Sequence, residues 1–160
     1  ARADHRSVEH ADEIEICRTD IALGGFSVAA IIADETGCDW AYSIGLNHSF
    51  GHPELLLVGL EAPIAGALVE VLAGQVADGR RIAAGDEVVL DGVLELRASA
   101  VDDLWCGMGD WFTLGREVMS SWGRRWPDTV QLIWSDAEGR FPERPGDPRW
   151  SFRQPLLSGV

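Results

Sequence analysis

Leu55-Leu-Leu-Val58 is apolar at every position, and few folds accommodate such a run. A strand with one wetted face alternates apolar and polar side chains, whereas one covered on both faces has no reason to alternate. The run therefore predicts a central strand with packing layers above and below. Just upstream, Trp40 to Leu46 is a second strand-like run, and a polar loop, Asn47 to Pro53, separates the two. His48, His52 and Glu54 all fall in or beside that loop, so it is where chemistry is sought first.

The flanking segments fit the same plan. From Ser7 onward, Val8, Ala11, Ile14, Cys17 and Ile21 recur at helical intervals until Gly24-Gly25, which predicts an amphipathic helix after a loose start over 1–6. Phe26 to Ala33 and Cys38 to Leu46, joined by turn residues, read as an antiparallel hairpin. Pro63 opens a helix whose apolar stripe runs from Ile64 to Val76 before Asp78-Gly79 closes it. Arg80-Arg81, just past that end, suit the negative pole of the helix. Glu87 to Leu90 and Val93 to Val101 form a second hairpin through Asp91-Gly92. A helix over 110–122 and a strand over 129–135 follow, and 143–160 reads as an irregular, proline-rich tail. The expectation is one α+β domain over 1–160, with a mainly antiparallel sheet of five or six strands packed by two or three helices.

Composition narrows the partners. The formal net charge of -13 repels phosphate backbones and argues against nucleic acid. All 13 cationic side chains are arginine, which excludes chemistry that needs a lysine amine. No apolar run reaches the roughly 18 residues of a membrane span, and no basic-then-hydrophobic leader is visible, so the expected setting is cytoplasmic, away from membranes. Cys17, Cys38 and Cys106 are odd in number and lack Cys-x-x-Cys spacing, the pattern of reduced thiols; Cys106 is the candidate nucleophile among them.

In an extended segment, residues two apart share a face. His52 and Glu54 could then lie side by side, the carboxylate fixing the imidazole as a general acid or base. On this reading His52, Glu54 and Tyr42 are catalytic. Ser43, Asn47, His48, Gln131, Trp134 and Asp136, with Trp105 and Trp111 as aromatic walls, bind a small-molecule ligand without any cofactor. Two alternatives stand beside it. One is a metal-dependent enzyme using His48, His52 and Glu54; its weakness is that the His48 to His52 spacing aligns both rings only on a helix, which Gly51 and Pro53 disfavour. The other is a non-enzymatic module that docks a protein through its acidic surface and tail.

Two blocks carry a resemblance. Tyr42-Ser-Ile-Gly-Leu46, Gly51-His-Pro-Glu-Leu55 and Gly59-Leu60 form the first; Gln131-Leu-Ile-Trp-Ser-Asp136, Gly139-Arg-Phe-Pro142 and Pro145-Gly146 form the second. Together they resemble a bacterial family known as domain of unknown function 4262, over roughly Ile14 to Gly146. Ser43 stands where that family more often has threonine, and Ser135 where proline is usual. Glu143 and Arg144 replace a tryptophan and an acidic residue. The resemblance implies which positions to test and supplies no reaction.

Overall fold

The computed structural model describes residues 2–35, 37–107, 109–136, 138–142 and 154–158, with side chains from Glu9 onward. In chain order the elements are α1 (Arg2–Gly24), β1 (Ser27–Ile31), β2 (Trp40–Ile44), α2 (Leu46–Phe50), β3 (Glu54–Val58) and α3 (Ala62–Ala77). They continue with β4 (Glu87–Leu90), β5 (Leu94–Ala100), α4 (Asp103–Gly107), α5 (Thr113–Ser120) and β6 (Thr129–Trp134). The strands form one sheet in the order β1-β2-β3-β6-β5-β4. Every neighbouring pair is antiparallel except β3 and β6, which run parallel with Glu54 opposite Thr129. This is the expected α+β class, and β3 lies inside the sheet.

The apolar run of β3 explains the layering. Leu55 and Leu57 face α3, packing with Ala65, Val69, Leu72 and Val76 of that helix and with Leu96, Val130 and Leu132 of the sheet. Leu56 and Val58 face the other way, against Tyr42, Ile44, Phe112, Val118 and Met119, with Cys17 and Ile21 of α1 in the same cluster. All five β3 side chains, Glu54 included, are sealed from solvent. Each such leucine contributes about 1.5–3 kcal/mol of transfer free energy, so this one strand ties both layers to the sheet.

Local chemistry sets the boundaries. Pro63 sits in the first turn of α3, where its missing N–H costs nothing. At the other end Gly79 adopts φ 108°, with its N–H donating to Val76 and that of Arg80 to Gln75, the paired bonds of a left-handed helix stop. Asp91 and Gly92 both take positive φ, as the tight β4–β5 hairpin demands.

Three expectations need correction. The first helix begins at Arg2, since 2–6 contains no proline or glycine to stop it. The later helix is shorter than 110–122 and spans Thr113–Ser120. The glycine-interrupted stretch before it holds a single turn, α4, which Asp102 starts by accepting the Leu104 N–H at 2.8 Å, the role of an N-cap. The tail is irregular over 154–158, yet anchored: the Gln131 side chain donates to the Pro155 carbonyl at 2.8 Å and accepts from the Leu157 N–H at 2.9 Å. Residues 143–153, including Trp150, lie outside the described residues.

Candidate functional site

The β2–β3 ladder stops at Tyr42 opposite Leu56. Beyond it Ser43 Oγ accepts the Leu55 N–H and donates to Glu54 Oε1, both at 2.8 Å. The same carboxylate accepts the backbone N–H groups of Gly45 (3.2 Å), Leu46 (3.0 Å) and Asn47 (3.2 Å). Those are the donors left over at the start of α2. Gly45 reaches them with φ 111°, a conformation that disfavours any side chain. Burial pushes the Glu54 carboxyl up to about 7, against the pull of its four hydrogen bonds toward ionisation.

His52 faces elsewhere. Its ring is 1% exposed, with Nδ1 2.7 Å from the Pro53 carbonyl and Nε2 accepting the Ile82 N–H at 2.9 Å. An acceptor at Nε2 places the single proton on Nδ1. Burial, and secondarily the Arg81 charge, lower its pKa, opposed by the Pro53 contact. The ring is thus a neutral brace between the 46–52 loop and the 80–82 segment. Arg81 completes the brace by donating to the Phe50 carbonyl at the end of α2 (3.2 Å), in place of the α3 role expected for it.

The expected pairing of imidazole and carboxylate in an open cleft is therefore not found. Alternation along a strand applies only inside it, and β3 starts at Glu54. Residues 46–50 wind into the single helical turn of α2, and Gly51 at φ 63° turns the chain, so His52 aims at Ile82 and Glu54 at the α2 N-terminus. His48, one turn earlier, is exposed and stacks on Trp122 with ring centroids 4.4 Å apart. His48, His52 and Glu54 consequently do not converge, and among the described residues no group of three His, Cys, Asp or Glu side chains is placed to hold a metal ion.

The other predicted residues are dispersed. Tyr42 is buried under Phe112 and Trp126, its hydroxyl accepting the Gly115 N–H at 3.1 Å, and burial raises its pKa to about 12. Gln131 holds the tail. Trp134 donates through Nε1 to Val58, and Trp111 packs edge-on against Trp40. Asp136 closes a turn by accepting from Arg140 and from the Glu138 N–H. Asn47 contributes its backbone N–H to Glu54, and Trp105 is partly exposed on α4.

An open concavity lies elsewhere, between α4, α5 and the 124–126 segment. A hollow of about 510 Å³ is lined there by Arg116, Arg124, Arg125, Cys106, Trp126 and Asp103, with Gly107. Arg116 is fixed by the carbonyls of Gly107 (2.9 Å) and Gly109 (2.7 Å). Arg124 lies 3.3 Å from His48 Nδ1, which links the hollow to the polar loop. Trp126 forms a rigid wall: it stacks on Phe112 (4.9 Å, 16°), donates to Thr129 and lies directly against Gly115, where a Cβ would collide with the ring. The Cys106 thiol is pushed up by burial and by Asp103, Asp128 and Asp102, with Thr129 opposing. It is accordingly a poor nucleophile at neutral pH. These arginines were not singled out from the sequence. The available signal was the Arg124-Arg125 pair set between two tryptophans in a lysine-free chain.

No curated protein and no solved structure matches the chain. The family model described as a domain of unknown function (DUF4262) matches residues 20–148, which take in the Glu54 corner, the arginine hollow and β6 together, and the chain belongs to that family.

Proposed function

We propose that this domain binds a small anionic ligand, a carboxylate or phosphate compound, in the arginine-lined hollow. The observation that carries the reading is the convergence of Arg116, Arg124 and Arg125 on one concavity, with Asp103 the single acid in the lining among the described residues, in a chain of net charge -13. A volume of about 510 Å³ suits a metabolite-sized molecule. Guanidinium forks match the planar geometry of carboxylate and phosphate, and Trp126 offers a flat apolar wall. The protonated Cys106 favours binding over covalent catalysis.

Thermal unfolding in inorganic phosphate and in citrate, each compared with chloride at equal ionic strength, tests this. The two anions raise Tm beyond the chloride effect in the wild type, and the increment is lost in Arg124→Ala/Arg125→Ala. Equal shifts in all three salts, or an undiminished response in the variant, overturn the reading.

A further inference from the structure

The two edges of the sheet are protected unequally. At one edge β4 has only four residues, pairs Glu87 with Arg97, and the Arg97 guanidinium lies 4.0 Å over the Phe141 ring. Charges and short length are the usual guards against edge pairing. At the other edge β1, Ser27-Val-Ala-Ala-Ile31, carries no charge, proline or glycine and is paired with β2 along its whole length. Among the described residues its outer side has no neighbouring strand in the sheet. Directly after it, Ile32 projects with 78% of its surface exposed. Beside its beginning lies a hollow of about 480 Å³ lined by Leu23, Phe26, Val28, Asp20 and Glu70.

We propose that β1 pairs antiparallel with β1 of a second copy of this chain, about a two-fold axis at Ala29, each copy's Ile32 filling the other's hollow. Register identifies the occupant. In an antiparallel pairing centred on Ala29, Ile32 stands opposite Phe26 of the second copy, and Phe26 lines the hollow. A two-fold axis makes both contacts at once, which is the self-complementarity of an isologous interface. Charge points the same way. A chain of net charge -13 repels its own copy over most of its surface, whereas 26–33 is uncharged. The charges nearest the seam are Asp20, which accepts the Ser27 hydroxyl at 2.9 Å, and Glu70, both in the lining of the hollow that Ile32 enters. A stable interface needs roughly 800 Å² per partner, more than a five-residue edge supplies. Leu23, which is exposed and lines the same hollow, extends the apolar contact.

Sedimentation of the purified chain from micromolar to near-millimolar concentration tests the proposal. A reversible dimer of twice 17.4 kDa is expected, tightening as salt screens the like charges. Ile32→Glu raises the dimer Kd by about tenfold or more. Val93→Glu, at an equally exposed position on the opposite hairpin, leaves the Kd unchanged. Both positions are on the surface, and unchanged thermal unfolding of each monomer verifies that neither variant is misfolded. A wild type that stays monomeric throughout, a dimer that survives Ile32→Glu, or one that Val93→Glu dissolves each overturn it.

Discussion

The Glu54 corner and the arginine hollow use their polar side chains in opposite directions. At the corner, the carboxylate and the imidazole spend their bonding capacity on backbone groups of the same chain. In the hollow, three cationic side chains line a space open to solvent. A dense polar motif marks chemistry only if some of its donors and acceptors remain uncommitted after folding. The carboxylate and buried imidazole of the 47–54 motif fail that condition and brace the fold, whereas the 103–126 region keeps its arginines at an open surface even with Arg116 tied to two carbonyls, which is why recognition is proposed there.

Glu54→Ala tests the contrast hardest. It strips the acceptor from three backbone N–H groups and Ser43 while opening a cavity, and about 4 kcal/mol or more of stability is expected to go. Urea unfolding measures it, and an unchanged midpoint would reverse the assignment of roles. His52→Ala comes next, at roughly 2–4 kcal/mol, because it leaves the Ile82 N–H buried without its acceptor. The same titration reads it, and a loss under half a kcal/mol would return His52 to the list of groups free for chemistry.

The third test uses pH. The folded Glu54 carboxyl titrates near 7, raised from the usual 4.5, so the folded state holds that proton more tightly than the unfolded chain. Its contribution is full below about 4.5 and is lost as pH rises through about 7, an effect of order 3 kcal/mol from the spacing of the two values. The difference in unfolding free energy between wild type and Glu54→Gln, followed from pH 4 to 8, should carry that slope. A difference that grows with rising pH would mean the four hydrogen bonds outweigh burial. The smallest stability effect belongs to Arg125→Ala, expected within about 0.5 kcal/mol of wild type because the side chain is exposed. A larger loss would place Arg125 with the bracing residues.

The sequence reading succeeded where periodicity extends over several turns or residues. α3 was legible as a helix between Pro63 and Gly79, although its buried face is Ala62, Ala65, Val69, Leu72, Ala73 and Val76, with Ile64 and Val71 of the expected stripe left exposed. Leu55 to Val58 of β3 has no polar position to misplace. It failed on α2 and α4, each five residues long, since one turn of helix presents too few positions for any period to register. The candidate site divides the same way. That 47–54 is an organising polar corner was legible, because His52, Glu54 and Gly51 are adjacent in the chain. Which way His52 points was not, because Ile82, the group that captures its Nε2, lies 30 residues downstream. The arginine hollow was still less visible, assembled from α4, from Arg116 on α5 and from the segment after Gly123.

The single parallel seam also orders the assembly of the protein. Since Glu54 registers with Thr129, the sheet cannot join its two antiparallel halves until β6 has emerged from the ribosome. Closing so long a loop is entropically slow. Meanwhile one side of the greasiest strand has no backbone partner. A nascent chain stalled between these points should be the species most prone to self-association and most dependent on chaperones.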